Sequence, residues 1–388
     1  MRIRCVGGGP AGLLFAILGR ANDHEVTVYE QAQPAESFGW GVVFWDSLLR
    51  QLDAHDAETG RLVREHAYMW TDQVVVVDGR DPVRIPSFGY SMRRRLLLEL
   101  LRARASDVGV HIEAGRVTDA AAVARGADLV IASDGVNSTL RQQQAGFGTR
   151  VRRLRNKYIW LGSDREFDSF TFPFVRTRAG WVWGHAYGFD EGASTFVVEM
   201  APETWTGLGF DRMGPEATMA ELEHLFADSL EGHRLRPQAG TRDRTPWNEF
   251  VVVRNRRWHV GNLALMGDAA HTTHYTIGSG TRLAMEDAMT LSTALTSEPT
   301  PEGALEAYEK TRQRQLQNVQ RDAMRSARWY EHVPRYVGAS EVDFARMMDD
   351  RRSPVMARLP VGVYLGLTRT ANKVPGVAEP LRRLVSKL

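Results

Sequence analysis

The chain has 388 residues, 43% of them hydrophobic and 25% charged, which suits a globular protein of two joined domains or one large unit with a long insertion. A net charge of +2 gives no strong field, so neither nucleic acid nor an anionic membrane is expected as a partner. The single cysteine, Cys5, allows no internal disulfide and fits the cytoplasm; no His/Cys cluster suggests a metal, and no apolar run reaches the roughly 18 residues of a membrane helix.

In chain order, Arg2–Val6 reads as a short apolar strand, residues 7–12 as a glycine-rich turn, 13–20 as a helix and Glu25–Glu30 as a second strand. The chain enters the first strand directly, so no signal peptide is expected. Residues 96–105 carry leucines at helical spacing, and DLVIAS at 128–133 is a buried-type strand before the turn Asp134-Gly135. Four arginines follow, at Arg150, Arg152, Arg153 and Arg155; they read as a solvated face, or as partners for phosphates. The texture then changes. YIWLG (158–162), FTFPFV (170–175), WVWGHAYGF (181–189) and STFVVEM (194–200) alternate like antiparallel sheet. A helix is expected at 215–230, a linker-like stretch at 235–247, a buried strand at 263–266, helices at 281–295 and 301–328, and helical structure to the end. The terminal Ser386-Lys387-Leu388 matches a peroxisomal address and is read as chance.

Gly7-Gly8-Gly9-Pro10-Ala11-Gly12 matches GxGxxG. Gly7 permits the tight turn, Gly9 lets the backbone approach a pyrophosphate, and Gly12 lets the helix pack on the sheet; Pro10 and Ala11 belong to the same cofactor-binding turn. Glu30 ends the second strand, where a carboxylate reaches a ribose hydroxyl. A dinucleotide is therefore expected.

Two later motifs choose the dinucleotide. DGVNS at 134–138 with Arg141, and GDAAHTTHYTIGSGT at 267–281, each follow a buried strand. With these, the sequence resembles the group A flavoprotein monooxygenases, the p-hydroxybenzoate hydroxylase family. The resemblance implies FAD, with NADH or NADPH as co-substrate. It assigns Asp134 to the place where flavin and nicotinamide are handled, Asp268 to the flavin ribityl or ribose, Gly278, Ser279, Gly280 and Thr281 to the flavin ring, and Arg93 to the pyrophosphate. Arg94 and Arg95 adjoin Arg93, and His271 is given a structural role. The runs FGWGVVF (38–44), NKYIW (156–160), HAY (185–187) and STFVVE (194–199) further resemble the subgroup of salicylyl-CoA 5-hydroxylase, 2-aminobenzoyl-CoA monooxygenase and the violacein-pathway tryptophan hydroxylase.

The fold implied is α/β: a Rossmann-like FAD-binding domain from residues 1–70, 91–155 and 250–330, an inserted, mostly antiparallel substrate-binding sheet from 71–90 and 156–249, and a helical C-terminal region at 331–388. The activity implied is NAD(P)H- and O2-dependent hydroxylation of a small aromatic molecule, foremost an aryl-CoA thioester such as salicylyl-CoA attacked at carbon 5. The alternatives are a free indole or tryptophan-type substrate, a carrier-bound aromatic, or a non-catalytic flavin-binding partner. His185 and Tyr187 alternate onto one sheet face, and His274 lies beside the expected flavin site; these are the candidate catalytic residues. Trp40, Trp183 and Tyr275 are candidate substrate contacts, with Trp160 a further aromatic that could line the pocket.

Overall fold

In the computed structural model, residues 1–31, 39–238 and 247–352 are described. Phe38, most of the stretch read as a linker, and residues 353–388, including the terminal tripeptide, lie outside them. The first part runs β1 (Arg2–Val6), α1 (Pro10–Ala21), β2 (Glu25–Glu30), β3 (Gly41–Phe44), α2 (Asp46–His55), α3 (Ala57–Glu65), β4 (Tyr68–Val77), β5 (Val83–Arg93), α4 (Arg94–Asp107), β6 (His111–Ala114), α5 (Ala120–Ala124), β7 (Leu129–Ala132) and α6 (Thr139–Gln142). The middle runs β8 (Arg150–Ser163), β9 (Phe170–Thr177), β10 (Gly180–Asp190), β11 (Ala193–Met200), α7 (Pro202–Leu208), α8 (Pro215–Leu225), α9 (Ala227–Leu230), β12 (Leu235–Arg236) and β13 (Asn248–Arg254). The chain closes with β14 (His259–Val260), β15 (Leu263–Leu265), α10 (Gly280–Ser297), α11 (Pro301–Glu331) and α12 (Glu341–Asp349).

Two sheets organise these elements. The first has the order β14-β15-β7-β1-β2-β6, parallel except at β14–β15. Helices cover it, so β7 is buried along its whole length, as its unbroken apolar sequence requires. The second has the order β12-β8-β11-β10-β9-β4-β5-β3, with β13 also on β8, and is antiparallel except at β4–β9. Residues 1–70 supply both sheets: β1 and β2 join the first, whereas β3 and the start of β4 pair into the second. The helix expected at 215–230 is two helices, because Phe226 leaves helical geometry with φ −105° and ψ 23° between α8 and α9.

The second sheet has two distinct faces, set by the period of two. One carries Ile159, Leu161, Val182, Phe196 and Val198 into a core with α7, α8 and α9. The other presents Tyr158, Trp183, His185, Tyr187 and Glu199, since Tyr158 and Trp183 both lie opposite Glu199 in register. Helix α11 joins the compartments: Leu305 and Leu316 pack into the core of the first sheet, and Trp329 and Tyr330 into the cluster on the second. Among the described residues no helix is long and apolar enough to cross a membrane.

Candidate active site

Three loops at the carboxyl ends of β1, β7 and β15 meet on one edge of the first sheet. Gly7 has φ +107°, and a Cβ there would collide with the Ser133 backbone. A Cβ on Gly12 would collide with the Gly7 carbonyl oxygen and Ser133 Oγ, so both positions exclude a side chain. In front of Gly9 there is open space, and α1 starts there with Pro10 in its first turn, no capping side chain and no acid in that turn. This helix end offers its N–H groups and positive dipole outward. Glu30 Oε2 accepts a hydrogen bond from Gly8 N at 2.6 Å, which holds the carboxylate on the glycine turn.

The second loop is self-braced. Asp134 Oδ2 accepts from Thr139 N at 2.7 Å and Leu140 N at 3.3 Å, capping the start of α6, while its Oδ1 is buried without a partner. Arg141 donates to the carbonyls of Val136 at 2.6 Å and Ala269 at 3.1 Å, tying this loop to the third.

The third loop is anchored by a buried ionic cluster. Asp287 Oδ2 accepts from Gly267 N and lies at hydrogen-bond distance from His271 Nε2, each at 2.9 Å; its Oδ1 accepts from Arg312 Nε at 2.7 Å. Burial alone would raise the Asp287 carboxyl, but His271 and Arg312 outweigh it and hold it below the ordinary range. Asp268, beside this anchor, keeps its carboxylate solvent-accessible while protein surrounds it on the other sides. Desolvation raises its pKa, with His271 and Arg94 opposing. Gly278 is left-handed, with φ +58°, and its missing side chain makes room for Val43. Ser279 N-caps α10 without a side-chain bond, Thr281 follows in the first turn, and open space lies before Gly280. Like α1, α10 therefore begins with neither a cap nor an acid.

Arg93 and Arg94 diverge at the junction of β5 and α4. Arg93 turns out to Asp190 at 2.9 Å and lies over the Phe189 ring. Arg94 is half-buried and near enough to Asp268 and Glu30 for both carboxylates to support its charge against desolvation. The arginine facing the carboxylates of the glycine turn and the third loop is thus Arg94, not Arg93, because adjacent residues leave a strand end on opposite sides.

The polar face of the second sheet holds a buried carboxylate. Glu199, 1% exposed, accepts Asn156 Nδ2 at 2.7 Å on Oε1 and the Tyr275 hydroxyl at 2.7 Å on Oε2, with His185 Nε2 at 3.3 Å from Oε2. Burial would raise its pKa; the partners, His185 foremost, bring it below the ordinary value. Burial lowers the pKa of His185 and pushes that of Tyr275 well up. The Tyr158 ring lies 4.8 Å from that of Tyr275, and Tyr158 is the residue that feels both Asp268 and Glu199, which brings its pKa up to about 12 after desolvation. The aromatic face and the third loop therefore share one site. Glu199 is not among the expected site residues, although it closes STFVVE, one of the runs that carry the subgroup resemblance. As a lone acid in the apolar strand STFVVEM it carries no role by itself, and its partners Asn156, Tyr275 and His185 lie 43, 76 and 14 residues away.

The other expected site residues fall into place as follows. His185 and Tyr187 share the face, as their spacing requires, but Tyr187 donates its hydroxyl to Gly41 O at 2.8 Å and so clamps β3. Trp183, expected to touch substrate, is 2% exposed and stacked between Phe174 and Tyr330, so it is core. Trp40 packs where Gly162 lacks a side chain, and Trp160 lies against Gly39. His274 is buried, stacked on Tyr275 at 4.4 Å, with Nδ1 2.9 Å from Thr276 Oγ1; burial lowers its pKa to about 4.

Comparison with known proteins decides the family. A family model described as FAD binding domain matches residues 99–323. The chain is 36% identical over 354 residues to 3-hydroxy-4-methyl-anthranilyl-[aryl-carrier protein] 5-monooxygenase of Streptosporangium sibiricum, covering 90% of this chain and 93% of that protein. The chain belongs to the FAD-binding-domain family of flavoprotein aromatic monooxygenases. The monooxygenase is also 37% identical over 351 residues to salicyloyl-CoA 5-hydroxylase of a Streptomyces species, covering 87% of this chain but 66% of that longer relative. It is 30% identical to protodeoxyviolaceinate monooxygenase of Chromobacterium violaceum, covering 91% and 95%. A crystal structure of 2-methyl-3-hydroxypyridine-5-carboxylic acid oxygenase, mutant C294A, shares the fold at TM-score 0.67 and 20% identity, covering 90% of this chain and 98% of the other. The monooxygenase uses FAD, hydroxylates a small aromatic molecule with O2, and has NAD(P)H as the reductant typical of its family.

Proposed function

We propose that this monooxygenase hydroxylates a phenolic or amino-substituted aryl thioester, foremost salicylyl-CoA at carbon 5. The observation that carries the reading is the buried Glu199 carboxylate with its three partners, set on an aromatic face beside the third loop. FAD, when bound, takes electrons from NAD(P)H, activates O2 and supplies one oxygen atom to the ring. The residues fit that cofactor. The uncapped starts of α1 and α10 suit its pyrophosphate and its anionic reduced ring, with the Gly278–Thr281 backbone at the ring. Glu30 and Asp268 suit its ribose and ribityl hydroxyls, Arg94 its phosphates, and Asp134 braces the loop alongside.

The remaining chemistry belongs to the protein. The ring becomes a better nucleophile as the substituent para to the attacked carbon loses its proton. Glu199 accepting from His185 Nε2 fixes the tautomer in which Nδ1 is the proton acceptor, and the lowered histidine pKa keeps that nitrogen unprotonated at neutral pH. Tyr275 and His274 are the part of the third loop that walls this pair, and the surrounding aromatic rings exclude water. A carrier-bound thioester is a second source of the same substrate chemistry, favoured by the near-complete coverage of the aryl-carrier-protein monooxygenase.

The test measures NAD(P)H oxidation, O2 uptake and product mass for the FAD-loaded protein with salicylyl-CoA, free salicylate and tryptophan. Product heavier by one oxygen atom from the thioester alone supports the reading. Turnover of a free aromatic without turnover of the thioester overturns the substrate and leaves the aromatic monooxygenase.

A further inference from the structure

We propose that Arg351, just past the end of α12, is a positioning residue of the hydroxylation site: through Ser326 and Thr276 it holds His274 as the neutral ring that carries its proton on Nε2, and it fixes the short turn Tyr275–Ile277 on which Tyr275 meets Glu199. This role rests on the reading of Glu199 as the carboxylate of the site and does not depend on which aromatic is oxidised. Three elements meet at the guanidinium. Nε donates to Ser326 Oγ of α11 at 2.8 Å, one Nη donates to the Thr276 carbonyl of the third loop at 2.7 Å, and the other donates to the Met348 carbonyl of α12. The guanidinium carbon lies over the Tyr330 ring, 5.3 Å from its centroid.

The direction of the hydrogen bonds beyond Arg351 follows from what each group can donate. Ser326 Oγ lies 2.8 Å from Thr276 Oγ1, which lies 2.9 Å from His274 Nδ1, and all three residues are buried. A guanidinium only donates. Ser326 therefore receives a hydrogen from Arg351, and its own hydrogen has one acceptor among the described residues, Thr276 Oγ1. Thr276 in turn points its hydrogen at His274 Nδ1. That nitrogen is thus an acceptor, and in the neutral ring the proton sits on Nε2. The reverse direction strands the hydrogen of a fully buried serine, which native interiors avoid.

The bonds of Arg351 go to neutral oxygens, whereas Arg104 is spent on Asp56 and Arg312 on Asp287. Its positive charge is left to act on the rings it faces, and it opposes a proton on either His185 or His274. A neutral His274 leaves the Glu199 carboxylate to His185, Tyr275 and Asn156. The bond to the Thr276 carbonyl pins the residue next to Tyr275, whose hydroxyl donates to Glu199 at 2.7 Å. Arg351 thus acts on the site through the third loop without touching Glu199 itself.

The experiment reads the His274 tautomer by NMR in the FAD-loaded full chain, with histidine labelled in heavy nitrogen and the His274 signals identified by their loss in His274→Gln. The wild type is expected to show one form, with Nδ1 unprotonated and Nε2 protonated. Arg351→Ala is expected to show both tautomers, and guanidinium added below denaturing concentration to restore the one. Thr276→Val, which cuts the chain but keeps the carbonyl, is expected to show both as well, and it decides where the alanine variant does not fold. Product formed per NAD(P)H consumed is measured alongside, on whichever of salicylyl-CoA, free salicylate and tryptophan the wild type oxidises. That ratio is expected to fall about tenfold in Arg351→Ala, as a misplaced reacting group costs, and to recover with guanidinium. A protonated Nδ1 in the wild type, or an unchanged single tautomer in a folded variant, overturns the assignment. A changed tautomer with an unchanged ratio overturns the positioning role. An unchanged ratio in Glu199→Gln overturns the role of Glu199 instead, and turnover of none of the aromatics overturns the substrate reading; the tautomer then decides on Arg351 by itself.

Discussion

Arg93 and Arg94 differ by one position and face opposite ways, one toward Asp190 and the other toward Asp268 and Glu30. Arg94→Ala is therefore expected to weaken FAD about tenfold to a hundredfold, the worth of charge-assisted hydrogen bonds to a phosphate, and Arg93→Ala to leave it nearly unchanged. Flavin fluorescence titration of the apoprotein separates the two. Glu199 calls for a different readout. Glu199→Gln keeps the volume and removes the charge that fixes His185. Hydroxylation is expected to fall about a hundredfold or more while NAD(P)H oxidation continues and forms H2O2, so the ratio of product to NAD(P)H consumed is the number to measure. His274 sets a pH dependence. Its pKa drops from 6.5 to about 4 on burial, so between those values the unfolded chain binds the proton that the folded one refuses. Stability from this group is full above pH 6.5 and falls as the pH drops toward 4, by about 3 kcal/mol in all. His274→Gln should flatten that slope in urea melts of the holoprotein taken across the window; an unaltered slope assigns it to other groups.

At the scale of elements, the cofactor part was legible and the substrate part was not, for a physical reason. A strand, a glycine turn and a helix start are local, and the chemistry of each lies within a dozen residues: Gly7, Gly9, Gly12 and the start of α1 stand where their spacing put them. Gly12→Ala tests this directly. The methyl group meets backbone at Gly7, so a loss of about 1–3 kcal/mol in stability is expected, together with a reduced flavin-to-protein ratio after purification. Alternation likewise gave His185 and Tyr187 one face. It did not tell which of them ends in a backbone clamp and which beside a carboxylate, because Gly41 and Glu199 reach them through pairings set by the whole sheet. Trp183 misled for the same reason: an aromatic on the site-facing side of a strand is core wherever another element covers it, and Tyr330 of α11 covers this one. The α10 start was read from its glycines, but the cluster that anchors the loop before it, with Asp287 and Arg312 on two different helices, carries no motif.

At the scale of the molecule, that ionic cluster and helix α11 tie the two sheets together. Asp287→Asn takes from buried Arg312 and His271 the carboxylate they share and leaves Arg312 with Glu286 alone, which should cost about 3 kcal/mol, seen as a large fall in melting temperature, with the flavin lost at the lower transition. Helix α11, about 46 Å long at 1.5 Å per residue, sets Leu316 in the first core, Met324 against Val252 of β13, and Trp329 and Tyr330 over the second sheet. It thus works as a gauge whose phase matters as much as its length. One residue inserted between Leu316 and Gln320 would rotate everything downstream by about 100°, carrying Tyr330 off Trp183 and Met324 off β13. Point changes along this helix are tolerated or not one contact at a time. A change in its register would strike the packing on β13 and the aromatic face together.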